Sequence, residues 1–231
     1  MGAVFSKEFK SYTGSPVVYI LISVFLVVSG VLYFWNFYMR GQADLRVFFN
    51  LLPFLFMIMI PLIAMRQFSE EQNSGTIEML LTMPLSIAEI VAGKFLACMS
   101  LVGLMLSPTL VYVITLKLSG SPDFGPVIGG YAGALFLGGA YIAVSLFASA
   151  LTGSQVVAAL SSIAICTFFT MIDFVVQFLP GKIFSILSYI GTSFHFESIS
   201  RGIIDFRDLA YFITFTLFFL LMTHTIIEER R

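Results

Sequence analysis

The spacing of charged residues constrains this chain more than any other feature. Between Lys10 and Arg40 lie 29 consecutive uncharged residues, between Arg46 and Arg66 lie 19, and between Lys94 and Lys117 lie 22. Asp123 to Asp173 encloses 49, and Asp208 to Glu228 encloses 19. A helix needs about 20 apolar residues to cross ~30 Å of hydrocarbon. Four gaps therefore hold one span each. The longest holds two, with a break at Leu151-Thr152-Gly153-Ser154-Gln155. The spans fall near 17–39, 47–65, 94–116, 127–150, 156–179 and 209–227. The runs do not alternate as barrel strands do, so helices are the spanning element. The fold class is an all-α polytopic membrane protein.

Composition supports this. Lys+Arg (12) and Asp+Glu (13) make only 11% of the chain, and 58% is apolar; a soluble domain carries roughly 25% charged residues. That excludes an ordinary soluble enzyme and a disordered chain. The net charge of −1 excludes a nucleic-acid binder, because it offers phosphates no attraction. Six spans put both termini on one side. Six positive residues fall on each side, so the positive-inside rule leaves the orientation open. Residues 1–34 are too long an apolar start for a cleaved signal and read as a retained anchor. Cys98 and Cys166 lie inside spans and behave as small apolar residues.

Several segments outside the spans have structure of their own. Phe5, Phe9 and Tyr12 recur at i, i+4 and i+7, with Lys7 and Lys10 opposite. Residues 4–12 therefore predict an interfacial amphipathic helix rather than a frayed end. After the second span, Glu70, Glu71 and Glu78 crowd within nine residues around the turn signal Asn73-Ser74-Gly75. Ile77, Leu80 and Leu81 share one face of a helix too short to span, which Pro84 ends. Ser86 and Glu89 form a capping box, and Leu85 and Ile90 have the spacing of a hydrophobic staple. The third helix should begin at Ser86 and run as one rod to Leu116. That is ~45 Å, about 15 Å more than the hydrocarbon needs. Either the rod is a lever projecting from the membrane or the segment is a plain loop.

Pro53, Pro61 and Pro108 predict kinks in spans two and three. Gly129 and Gly133 form G-x-x-x-G, which suits close packing within the chain or between two chains. Asp173, inside span five, is a candidate by its cost in a membrane; it could serve transport or pair with Lys182 or Arg201. Before the last span, Phe196, Ile199, Ile203 and Phe206 make an apolar stripe. Glu197–Arg201 and Arg201–Asp205 are i, i+4 pairs opposite it. These predict an outer amphipathic helix that gates or relays. His195 reads as an interfacial residue. There is no nucleotide-binding loop, no H-E-x-x-H and no G-x-S-x-G. The catalytic set and the metal set are both empty.

The run Glu71-x-x-Ser74-Gly75-Thr76-x-Glu78-x-Leu80-Leu81-Thr82-x-Pro84-x-Ser86-x-x-Glu89-Ile90-x-x-Gly93-Lys94 resembles the cytoplasmic motif of ABC-2-type transporter permeases. Lys7-Glu8-Phe9-Lys10 with Ser15-Pro16 before the first span resembles the same family. So does Phe194-His195-Phe196-Glu197-Ser198-Ile199-Ser200-Arg201-Gly202-Ile203-Ile204-Asp205 before the last. Together they look most like the gliding-motility (GldF-like) branch.

The resemblance implies one transmembrane domain over 1–231, in a bacterial inner membrane with both termini cytoplasmic. It makes 4–12 similar to the family's elbow helix and the segment within 70–93 similar to its coupling helix. The implied ATPase-coupling residues are Glu70, Glu71, Ser74, Gly75, Thr76, Ile77, Glu78, Leu80, Leu81 and Pro84. It implies ATP and Mg on separate ABC ATPase subunits and no cofactor on this chain. The second permease half would be a larger GldG-like subunit or a second copy. Two other classes stand beside this exporter or mechanotransmission reading. One is a proton-coupled secondary transporter using Asp173; the other is a non-transporting membrane assembly factor.

Overall fold

Inside a bilayer every backbone amide must find its acceptor within the chain, and a helix supplies one for each. The computed structural model describes residues 1–40, 45–78, 85–119, 123–176, 189–203 and 205–230, and these are helical with no strand among them. Helix α1 is Gly2–Thr13, α2 Pro16–Arg40, α3 Arg46–Ala64 and α4 Arg66–Asn73. Helix α5 is Ile87–Leu106, followed by a 3-10 turn at Ser107–Thr109 and by α6, Leu110–Ser119. Then come α7 Phe124–Leu151, α8 Gln155–Val176, α9 Thr192–Ser200 and α10 Phe206–Glu228. Among the described residues six stretches are long and apolar enough to cross a membrane, as the charge gaps predict.

Helix α7 is the centre of the bundle. Of its most apolar window 78% is buried, against 22–50% in the other five spans. Its glycines let neighbours approach. A Cβ on Gly130 would overlap the Phe49 ring, and one on Gly129 would overlap the Ile199 carbonyl. Gly133 faces Ile199 and Phe196 at 3.2–3.3 Å. The G-x-x-x-G pair thus seats α9 of the same chain, so of its two readings internal packing is the one realised.

The prolines act differently from one another. Pro53 and Pro61 remain inside α3. Pro108 sits in the 3-10 turn and divides the third span, because its ring clashes with the preceding turn and it offers no amide hydrogen. The expected rod is therefore two segments, with the joint where Pro108 predicts a kink. Its start is as predicted: Ser86 Oγ accepts the Glu89 amide at 3.2 Å and Glu89 Oε2 accepts the Ser86 amide at 3.1 Å.

At the opposite end of the bundle the expected continuous helix near 196–207 is broken. Helix α9 ends at Ser200, and Gly202 takes φ +88, the left-handed conformation that closes helices at low cost only for glycine. Phe196 and Ile199 are buried, whereas Ile203 and Phe206 are exposed. Asp205 begins α10 instead of pairing with Arg201: its Oδ1 accepts the Arg207 amide at 3.0 Å.

Candidate functional site

Three helices meet at the end of the bundle that holds both termini. Helix α1 lies against α5 through Val4, Glu8 and Tyr12, one turn apart from each other. Gly93 makes the approach possible, since a Cβ there would meet the Val4 side chain at 3.0 Å. Phe5 and Phe9 stack on each other at 5.8 Å and are only half-buried. The face turned inward is therefore the Val4–Glu8–Tyr12 line, not the Phe5–Phe9–Tyr12 stripe. Tyr12 belongs to both.

Tyr12 pins this corner. Its hydroxyl donates to the Ile63 carbonyl at 3.0 Å and accepts from Gln67 Nε2 at 2.5 Å. The Arg66 guanidinium lies 4.7 Å above its ring, and Arg66 also donates to Ser15 Oγ at 3.2 Å. Burial pushes the Tyr12 phenol well above the ordinary tyrosine range, so it remains a neutral donor.

One residue after Gly93, Lys94 is fully buried. Its Nζ donates to the Gln67 carbonyl at 2.6 Å, and lies 3.2 Å from Glu8 Oε1 and 3.0 Å from Glu71 Oε2. It also lies 4.9 Å from the centre of the Phe68 ring. Lys7 reaches the same two carboxylates from the solvent side, at 3.7 and 3.4 Å. Two lysines and two glutamates, drawn from α1, α4 and α5, thus neutralise one another. Burying an ammonium is tolerable only with such partners. A cavity of about 220 Å³ opens beside them, lined among others by Arg66, Glu70 and Ser74.

Helix α4 is fixed from its other side by α7. The chain turns at Met65, and Ser149 of α7 meets the groups this leaves over. Its Oγ accepts the Phe68 and Ser69 amides at 3.0 Å each and donates to the Met65 carbonyl at 2.7 Å. Gln72 Nε2 donates to the Ala150 carbonyl at 2.8 Å.

The sequence-predicted coupling residues divide accordingly. Glu71 is turned inward to Lys94, while Glu70 and Glu78 are exposed. Glu70 lies on α4, which ends at the predicted turn Asn73-Ser74-Gly75. Gly75 has φ +69, and the Ser74 and Thr76 hydroxyls share a hydrogen bond of 2.9 Å. Ile77 packs partly against the core. Leu80, Leu81 and Pro84 lie outside the described residues.

The remaining candidates are at the far end. Asp173 does not reach Arg201, which pairs with Glu197 at 2.5 Å on the surface. Asp173 Oδ2 instead accepts the Phe194 amide in the first turn of α9 at 2.9 Å. Its other suggested partner, Lys182, lies outside the described residues. His195 is buried, not interfacial: Nδ1 lies 2.6 Å from Asp208 Oδ1 and Nε2 lies 3.0 Å from the Tyr189 carbonyl. The Tyr141 hydroxyl joins Thr170 and Thr192 at 2.5 and 3.1 Å, so polar contacts hold α7, α8, α9 and α10 together there.

Sequence reasoning missed Lys94, Glu8 and Asp208 as structural centres. A signal for the first two exists. Ile87, Ile90, Val91, Ala97, Cys98 and Leu101 are all buried on one face of α5, and Lys94 occupies the missing turn of that stripe. Glu8 likewise stands midway between Val4 and Tyr12. Nothing comparable marks Asp208, whose partner comes from another helix.

Comparison with the curated proteins gives no match. Comparison with protein families matches residues 3–226, nearly the whole length, to the family described as ABC-2 family transporter protein. Members are membrane subunits that are typically not themselves catalytic, and the family implies ABC ATPase partners in general. With six apolar spans and this match over 3–226, the chain is a multi-pass membrane permease that belongs to the ABC-2 transporter family.

Proposed function

We propose that the corner formed by α1, α4 and α5 receives the stroke of a separate ABC ATPase and passes it into the membrane. The observation that carries this is the buried Lys94, which ties the helix bearing Glu71 to α1 and α5 at once. A push on the coupling segment cannot move α4 alone, because that would strand a buried charge. The exposed Glu70 and Glu78, with Ile77, Leu80 and Leu81, offer the ATPase its contact; Glu71 holds the contact to the bundle. ATP and Mg reside on the ATPase, and both termini face the cytoplasm of a bacterial inner membrane.

The path onward runs through α7. Helix α4 is hydrogen-bonded to Ser149 and Ala150 at one end of α7, and α9 sits on Gly129 and Gly133 at the other. From 129 to 149 is ~30 Å of unbroken helix, one hydrocarbon thickness. The jointed third span is less suited to the task. Movement of α9 would shift Glu197, Arg201 and the neighbouring Asp205, the outer gate or relay.

The motif run supports the GldF-like branch within the family, with a larger GldG-like subunit or a second copy as the other half. Proton coupling through Asp173 is the weaker reading, since that carboxylate caps α9. The test is co-purification with the cognate ATPase in mild detergent. Ile77→Asp combined with charge reversal at Glu70 and Glu78 should abolish it, and undiminished co-purification would refute the docking assignment.

A further inference from the structure

A groove of about 680 Å³ runs down the outside of the bundle between α8 and α10, at the end away from the termini. That volume lies within the 300–1,000 Å³ of ordinary ligand sites. Its floor on α10 is a straight line of one residue per turn: Arg207, Tyr211, Thr214 and Phe218. Phe169 of α8 forms the opposite wall, and Tyr189 stands at the mouth. From Arg207 to Phe219 is ~18 Å along the helix, against about 15 Å for half the hydrocarbon thickness. The groove thus extends from one membrane surface to the middle of the bilayer and no further.

The chemistry changes along that length. Below Tyr211 the walls are almost wholly aromatic or apolar, with Phe169 and Phe215 edge to face at 4.9 Å. At the mouth the exposed Arg207 guanidinium has no ion-pair partner among the described residues. The nearby acids are occupied: Asp208 by His195, and Asp205 by the backbone amide of Arg207 itself. The Tyr211 hydroxyl donates to the Ile190 carbonyl at 2.6 Å and the Tyr189 carbonyl faces His195, so these polar groups are also satisfied. An apolar channel one leaflet deep under a single open arginine has the shape and charge of one lipid. Guanidinium matches phosphate through two parallel hydrogen bonds.

We infer that this groove is a specific site for one anionic glycerophospholipid of the leaflet away from the termini, its acyl chain lying along Tyr211, Thr214 and Phe218 and its phosphate on Arg207. Ordinary boundary lipid would show no headgroup preference. Such a lipid would lean on α9 and α10, the elements that carry the outer relay.

The test is native mass spectrometry of the purified full chain with added palmitoyl-oleoyl phosphatidylglycerol or phosphatidylcholine. Wild type should retain one phosphatidylglycerol at least about tenfold more strongly than phosphatidylcholine. Arg207→Gln should erase that preference while leaving the weaker binding of either lipid. Thr214→Trp, which fills the channel from an exposed position, should lower retention of both. Circular dichroism checks that each variant is folded, and both positions are exposed enough to tolerate change. Equal retention of the two lipids by wild type would overturn the inference, as would an undiminished preference in Arg207→Gln. Unchanged retention in Thr214→Trp would overturn the placement of the acyl chain.

Discussion

Replacing Lys94 with Met removes one charge and keeps the unbranched stem beside Phe68. The ammonium lies 3.0 Å from Glu71 and 3.2 Å from Glu8. At an effective dielectric constant of about 20 each contact has a gross attraction of ~5 kcal/mol. Desolvation of the ammonium offsets much of this in the native protein. The change also leaves two carboxylates facing each other, with only Lys7 to compensate, and Lys7 is mostly in solvent. Removing one partner of a buried pair costs about 3–5 kcal/mol. Both carboxylates retain 12–13% exposure, which places the expected loss at the low end, ~3 kcal/mol. That is roughly a hundredfold in the folding constant. Equilibrium unfolding in mixed micelles at fixed lipid would measure it. Adding Glu8→Gln and Glu71→Gln to Lys94→Met should recover at least half the loss, because the one charge then left without a partner, Lys7, is mostly in solvent. A Lys94→Met protein within ~0.5 kcal/mol of wild type would refute the buried-charge argument. So would a triple variant less stable than the single one.

Other perturbations test the packing and the surface separately. Ser149→Ala removes the acceptor for two amides of α4 and should cost ~1–3 kcal/mol, read in the same unfolding assay. Gly130→Ala drives a methyl into the Phe49 ring and should cost ~1–3 kcal/mol, with partial recovery in Phe49→Leu if that overlap is the cause. Gly93→Ala should lift α1 from α5, seen as faster labelling of Cys98 by a thiol reagent, since Cys98 is otherwise buried under Tyr12. Exchanging Glu197 and Arg201 should change stability by no more than ~0.5 kcal/mol, as the pair is exposed; lost transport at unchanged stability would support the proposed relay role.

Uncharged length alone made the spans legible, because hydrocarbon tolerates nothing else and the requirement is the same for every membrane helix. The Ser86–Glu89 cap was equally legible, being built from residues three apart. What the sequence did not disclose was which side chains cross between helices. Lys94, Glu8 and Glu71 are far apart in the chain and look like ordinary boundary charges, yet they converge in one buried cluster. Asp173 read as either a transport carboxylate or one half of an ion pair, and the partner it has, the Phe194 amide in the first turn of α9, is a backbone group that no charge pattern marks. The lever shows the same limit from the mechanical side. A count of residues from Ser86 to Leu116 gave the length of the third span and Pro108 marked a kink in it, but neither disclosed that the kink divides the rod into two helices. Proline at that point forces a turn. The fourth span is the opposite case: its glycines read as sites of close packing, and the neighbours they admit bury the helix so thoroughly that it stays unbroken from Phe124 to Leu151. Stiffness across this membrane is therefore set by which helix is held on all sides, and a sequence records that only through residues small enough to let the others in.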